Sequence, residues 1–294
     1  MMMPEQINNR LLLFMLFIFA AVAIFFSVEN FKLLEREKLE QQRIENIKTK
    51  IDNAAILAKA VAVYDISHNK KIYGKNDDVV MPIASLAKIL TVAVALNNYP
   101  KDAVISIPSE AINQSGDFGL LAEERWKVGD LAKLTLLTSA NDGIYTLATG
   151  ADFLEKVNTK AHKIGAQNAV FLNSTGLDID LEHAGAFVSA SDINTIAMYA
   201  TKLYPEIFEA TRTPELNLQS ESGFVHNFKN TNVIVNKIPN LIFSKTGFTE
   251  LAGGNLVIIF KNQRGEEIAV TILGSTFEGR FEDMEKIVNM LYSL

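Results

Sequence analysis

Hydrophobic and polar positions change their spacing several times along this chain, and each change predicts a different kind of element. Residues 11–28, LLLFMLFIFAAVAIFFSV, form an uncharged apolar run that just reaches the length needed to span a bilayer. The only small-x-small triplet, Ala21-Val22-Ala23, lies inside that run with Ile24, Phe25 and Phe26 still to come. An uncleaved anchor is therefore expected in place of a removed signal peptide. From 29 to 51 acidic and basic side chains alternate around Leu34, Leu39, Ile44, Ile47 and Ile51, an incomplete stripe that reads as a solvated helical stem and not as a heptad-true coiled coil.

Two β-rich runs, AVAVYDI at 60–66 and KKIYG at 70–74, joined by Ser67-His68-Asn69, predict a hairpin. Met81–Leu96 then reads as a helix, with Pro82 suited to its first turn and no glycine or proline after it. Its apolar residues, Ile83, Leu86, Ile89, Leu90, Val92, Val94 and Leu96, point in almost every direction, so it must be buried in a domain. Residues 99–128 are mixed and loop-rich. Helical spacing returns from Val128 to Thr149, interrupted by Ser139-Ala140-Asn141-Asp142-Gly143, a polar junction that is costly unless it faces a cleft. Further helices are expected over 153–164 and 190–203. After about residue 240 three strands follow, LIFSKTG, GGNLVIIFKN and EEIAVTILG, with Gly265 in the turn between the last two, and an amphipathic helix through Phe281, Met284, Ile287, Val288 and Leu291 closes the chain.

Strands at both ends and helices between them predict a mixed α/β fold of the α+β type. Two N-terminal and three C-terminal strands would close into one five-stranded antiparallel sheet, covered by the terminal helix, with an all-helical lobe inserted at about 83–205. The expected domains are a cytoplasmic tail and transmembrane anchor (1–28), a helical stem (29–55) and a catalytic domain (56–294).

Composition narrows the chemistry. The net charge of −6 carries no basic block of the kind that marks a nucleic-acid partner. The absence of cysteine removes disulfides and thiol nucleophiles. His68, His162, His183 and His226 are far apart and lack metal-ligand spacing.

Within the buried helix only Ser85 and Lys88 are polar enough to object to burial, and three positions put them on one face. Desolvation lowers the pKa of a lysine held there, making its amine a base for the neighbouring hydroxyl. An N-cap serine with a snorkelling lysine is the structural alternative. Ser85-Leu86-Ala87-Lys88, Ser139-Ala140-Asn141 and Lys245-Thr246-Gly247 are each weak alone, since Ser67-His68-Asn69-Lys70 satisfies the first two patterns on a hairpin turn. Together they occur in order on a buried helix start, a helix junction and a strand edge.

This trio resembles that of the serine penicillin-recognising enzymes, and within them the low-molecular-mass D-alanyl-D-alanine carboxypeptidases. The likeness covers roughly residues 58–293 and includes Ala84 to Lys88, Ser139 to Asp142, Asn230-Thr231-Asn232, the strand from Lys245 through Ala252-Gly253-Gly254-Asn255-Leu256, and Gly279-Arg280. It implies a β-lactamase/transpeptidase-like fold and a hydrolase that removes the terminal D-Ala from peptidoglycan stem peptides ending in D-Ala-D-Ala, through an acyl-Ser85 intermediate that penicillins also form.

In that scheme Lys88 is the base, deprotonated by burial and by the cationic Lys245, and Ser139 passes a proton to the leaving amine. Asn141 holds the substrate amide or braces Lys88. The backbone N–H groups of Ser85 and Phe248 form the oxyanion hole. Lys245, Thr246 and Arg280 bind the free carboxylate, and Gly247 clears the strand edge for an extended peptide. No metal or organic cofactor is implied.

Three alternatives stand beside it: an endopeptidase on D-Ala cross-links, a class A β-lactamase, and a non-catalytic lactam- or wall-binding module. The β-lactamase pattern Glu-x-x-Leu-Asn finds only Leu172-Asn173 with Ala169 in the glutamate position, and some carboxypeptidases carry a histidine where this chain has Thr175. The substrate places the domain outside the cytoplasm at the cell membrane. The positive-inside rule argues the other way, because Arg10 alone precedes the apolar run while Lys32, Arg36, Lys38 and Arg43 follow it.

Overall fold

The computed structural model describes residues 9–116 and 119–294; most of the expected cytoplasmic tail, residues 1–8, lies outside them. The chain forms two units, Met1–Thr49 and Lys50–Leu294. Helix α1 (Asn9–Asn53) runs without a break through the apolar segment and the charged one that follows, and its last residues, 50–53, belong to the second unit. It is long and apolar enough to cross a membrane, with a window of mean hydropathy 2.5.

In the second unit, β1 (Ala60–Asp65) and β2 (Lys70–Lys75) form the expected hairpin. The C-terminal strands β10 (Leu241–Thr249), β11 (Gly253–Lys261) and β12 (Glu267–Ser275) are laid down consecutively. β12 then pairs antiparallel with β1, from Ala60 opposite Leu273 to Asp65 opposite Ile268. The sheet order is β10-β11-β12-β1-β2, which makes β10 an edge strand. Unbroken runs of buried residues in β11 and β12 show that both faces are covered. Helix α8 (Gly279–Tyr292) buries Phe281, Met284, Ile287, Val288 and Leu291 there, as their spacing predicts.

Between the halves of the sheet, the chain departs from expectation at the start of the central helix. Met81–Pro82 is a short strand, β3, not a helical turn; a residue before proline is pushed toward extended backbone. The helix begins as a 3-10 turn over Ala84–Ala87 and continues as α2 (Lys88–Asn98). Every residue from Ile83 to Leu96 is buried, as expected. The loop-rich segment holds a small hairpin, β4 (Val104–Ser106) with β5 (Arg125–Lys127). The polar junction is a true break between α3 (Val128–Thr138) and α4 (Asn141–Leu147), followed by α5 (Phe153–Lys163). β6 (Val170–Phe171) and β7 (Ala186–Val188) pair beside β3.

Helix α6 (Ala190–Leu203) is capped by Ser189, whose hydroxyl accepts from Asp192 N. It docks on the sheet through Asn194, which donates to Ala62 O at 3.2 Å and accepts from Thr271 Oγ1 at 2.7 Å. A one-turn helix α7 (Pro205–Phe208) leads to a hairpin that the hydropathy pattern does not announce, β8 (Glu215–Gln219) with β9 (Val225–Lys229). Its strands alternate exposed and half-buried residues, with Phe228 alone buried, so few apolar positions mark it.

Candidate active site

Ser85 owes its position to local backbone geometry. Ala84 has φ +49, a left-handed conformation costly for a residue with a Cβ, and it turns the chain from β3 into the 3-10 turn. Three residues per turn eclipse positions i and i+3, which sets Lys88 Nζ 2.9 Å from Ser85 Oγ. The amine also donates to the carbonyl of Thr175 at 2.9 Å. That oxygen can only accept, so it fixes an N–H on its own side and leaves the lone pair of a neutral amine for the serine proton. Burial pulls the Lys88 amine down to about 7, against an upward pull from Asp142.

The Thr175 loop is held against the nucleophile by Gly176. This residue has φ +76, and a Cβ there would lie 2.0 Å from the carbonyl oxygen of Ala84. Asn173 closes the loop on itself, accepting from Gly176 N at 2.7 Å and donating to Leu177 O at 2.9 Å.

The third motif lies on the edge strand β10, alongside the 3-10 turn. A Cβ on Gly247 would come within 2.8 Å of Ile83 O and 3.2 Å of Ser85 N, so only glycine lets the strand approach the nucleophile this closely. The Ser85 N–H belongs to the first helical turn, where the helix's own ladder leaves donors unused. Asn255 reinforces the approach, donating to Pro82 O at 3.3 Å and accepting from Gly274 N at 2.8 Å.

Lys245 is 1% exposed and donates to Thr246 O at 2.7 Å. Its amine is held well below the ordinary range by burial first and then by the charges of Lys88 and Arg280. The charge of Lys88 thus adds to the lowering of Lys245, whereas burial is the cause of the lowering at Lys88 itself. Arg280 donates from Nη1 to Gly247 O at 2.8 Å, its Nε is buried without a partner among the described residues, and burial brings its guanidinium down to about 10 against the pull of Glu278.

Ser139 ends α3 in the left-handed region, at φ 65 and ψ 29, half-buried. Thr231 joins this helix end to the third motif. Its N–H and hydroxyl lie 3.1 and 3.2 Å from Leu137 O, and its Oγ1 is 2.6 Å from Thr246 Oγ1. Asn141 does not brace Lys88 here: its Nδ2 donates to Ser115 O at 2.5 Å, and its Oδ1 is a buried acceptor with no partner among the described residues. The brace is Thr175 O. A backbone carbonyl has no residue-type signature, so sequence patterns cannot flag it, whereas Thr231 and Asn255 lie in stretches that the resemblance had already marked.

The arrangement can supply a nucleophile in Ser85 and a base in the buried amine of Lys88, with the Lys245 amine and the Arg280 guanidinium on the side of the third motif. Volume alone does not locate this chemistry: a cavity of about 460 Å³ lined by Ile66, Tyr199, Pro205 and Ile242 holds no such pair.

Comparison with known proteins agrees. The chain is similar to the D-alanyl-D-alanine endopeptidases of Pseudomonas aeruginosa (32% identical over 211 residues, 67% of this chain and 64% of that one) and Escherichia coli (31% over 215 residues, 69% and 67%). The similar region thus spans about two thirds of these relatives' length. Among solved structures, penicillin-binding protein D2 from Listeria monocytogenes in its ampicillin-bound form is 29% identical with TM-score 0.69, covering 81% of this chain and 98% of that one. The Streptomyces K15 DD-transpeptidase, 24% identical with TM-score 0.73 over 82% of this chain and 99% of that one, shares the fold. A family model described as D-alanyl-D-alanine carboxypeptidase matches residues 47–276, and the chain belongs to that family.

Proposed function

We propose that this chain is a membrane-anchored serine DD-peptidase that hydrolyses D-Ala-D-Ala bonds of peptidoglycan stem peptides as a carboxypeptidase. The observation that carries the reading is the Ser85–Lys88 pair, 2.9 Å apart with the amine fully buried and lowered to about 7. Such a lysine is a strong general base near neutral pH and serves no packing purpose that a methionine would not serve better.

Ser85 Oγ attacks the penultimate carbonyl while Lys88 takes its proton. The oxyanion is met by the N–H groups of Ser85 and Phe248. Ser139 passes the proton to the leaving amine, and Asn141 Oδ1, buried and without a partner among the described residues, accepts the substrate's amide N–H. Lys245, Thr246 and Arg280 take the terminal carboxylate, and the peptide adds along the open edge of β10. Water then releases the acyl group from Ser85.

A second reading, cleavage of cross-linked stem peptides, is favoured by the endopeptidase names of three relatives that are 28 to 32% identical. A β-lactamase activity is disfavoured, since Ala169 is a fully buried methyl and supplies no deacylation base. The wall substrate puts the domain on the outer side of the membrane, against the charge bias around α1.

The test is intact mass and peptide mapping of the detergent-solubilised chain incubated with benzylpenicillin, followed by assay of D-Ala release from a stem pentapeptide. One adduct on Ser85 lasting minutes, with D-Ala release, supports the carboxypeptidase. An adduct that decays within seconds while drug is consumed replaces it with a β-lactamase. No adduct on the folded protein removes the acyl-serine reading.

A further inference from the structure

Beside the cationic group assigned to the substrate carboxylate lies more aromatic surface than an alanine can use. Phe248, near the end of β10, and Phe277, in the link between β12 and α8, meet edge to face with ring centroids 5.0 Å apart at 88°. They remain 38% and 47% exposed. The Arg280 guanidinium carbon lies 4.3 Å from the centroid of Phe277, 4.6 Å from that of Phe281 and 6.0 Å from that of Phe248. Phe281 is buried and belongs to the packing of α8, whereas the two outer rings are held at one end by a cation and open to solvent at the other. Adjacent half-exposed aromatic rings beside a buried cation form a binding surface for a group with one charged and one apolar end.

We propose that the Phe248–Phe277 pair is the subsite for the leaving residue, and that it accepts a D-residue with an extended aliphatic side chain. A cut at a cross-link releases a larger residue than the alanine that leaves an uncross-linked stem peptide. The inference rests on the acyl-Ser85 reading above and decides between its two substrates. A side chain leaves the same carbon that bears the carboxylate, so a carboxylate seated on Arg280 brings the first side-chain carbon to the edge of the rings. A methyl group covers a small part of that surface and a three- or four-carbon chain covers most of it. In the reaction the Ser85 Oγ–carbonyl bond forms and the C–N bond breaks. The proton taken from Ser85 goes to the nitrogen, and the D-residue departs as a free amine with its side chain still on the shelf.

The test uses the full chain in detergent and diacetyl-L-lysyl-D-alanyl-D-Xaa peptides in which Xaa is glycine, D-alanine or D-norleucine. The wild-type kcat/KM for D-norleucine should equal or exceed that for D-alanine, because each added methylene in an apolar site is worth about ten-fold or more when fully covered. In Phe277→Ala the D-norleucine to D-alanine ratio should fall about ten-fold, and Phe277→Leu should keep most of it. Damage to the Arg280 anchor would lower all three peptides alike and leave the ratio unchanged. That result overturns the proposal, as does wild-type rejection of D-norleucine. Cleavage of none of the three by a protein that benzylpenicillin still acylates also overturns it, whereas absence of the penicillin adduct on wild type removes the underlying acyl-serine reading instead.

Discussion

Lys88 shows how one residue trades stability for chemistry. Its amine is sealed in an apolar helix, and burial alone moves it from the range of a surface lysine to about 7. The sign of the resulting pH dependence follows from which form reacts. Only the neutral amine can take the Ser85 proton, and below about 7 the folded protein carries it charged. Acylation by benzylpenicillin should therefore fall roughly ten-fold per pH unit below that point and level off above it. Stopped-flow acylation rates between about pH 5 and 9 check this, and a flat profile would assign the base to another group. The pair was legible in the sequence because two polar residues stood alone on an otherwise apolar helix. The means of its lowering was legible only in part: burial was expected, but the opposing charge of Asp142 and the anchoring carbonyl of Thr175 come from segments whose approach no local pattern encodes.

Elements carry the motifs, and the contacts between elements decide whether the motifs meet. The end of α3 and the strand β10 are tied through Thr231, whose hydroxyl lies between Leu137 O and Thr246 Oγ1. With the Thr231 proton on Leu137 O, Thr246 must donate to Thr231, and no proton is left for a substrate carboxylate. When a carboxylate arrives, Thr231 can turn its proton to Thr246 and Thr246 can donate outward, while Leu137 O keeps the Thr231 N–H. A Thr231→Val change removes this hand-over and the pin on the Thr246 rotamer. It should raise KM for a D-Ala-D-Ala peptide about five- to ten-fold, the worth of one net hydrogen bond, with a smaller change in kcat. Thr231→Ser should restore the wild-type value. Equal KM values in steady-state kinetics of the three proteins would leave Thr231 a purely structural link. The strands and most helices of this framework follow their hydropathy periods. The sequence misleads at Met81–Pro82, where β7 takes the backbone that a helix signal claims, and it is silent over β8–β9, whose apolar face is too sparse to announce a hairpin.

At the scale of the whole chain, the question is where the folded catalytic unit begins, and the hydrogen bonds of residues 52–59 answer it. Asp52 accepts from Tyr73 Oη at 2.6 Å, and burial together with that carboxylate pushes the tyrosine hydroxyl up, keeping it a donor. Lys75 donates to Ala58 O at 2.8 Å. Asp283, fully buried in α8, accepts from Leu57 N at 3.0 Å, Ala58 N at 2.8 Å and Ser275 Oγ at 2.7 Å. Lys59 N continues the β1 pairing by donating to Leu273 O at 2.9 Å. A fragment beginning at Lys50 keeps every one of these bonds and discards the apolar helix. It should be soluble, unfold in one cooperative transition and be acylated by benzylpenicillin within about two-fold of the full chain's rate, since no group assigned to catalysis precedes Ser85. A fragment beginning at Ala60 loses both N–H donors to Asp283 and leaves that buried carboxylate with a single partner. Hydrogen bonds to a buried charge are worth about 1.5–3 kcal/mol each, so it should be less stable by roughly 3 kcal/mol or more and melt about 6 °C or more lower, on the usual scaling for a domain of this size. Equal melting temperatures for the two fragments in calorimetry would mean that the segment before β1 is decoration and that the catalytic fold starts with the sheet itself.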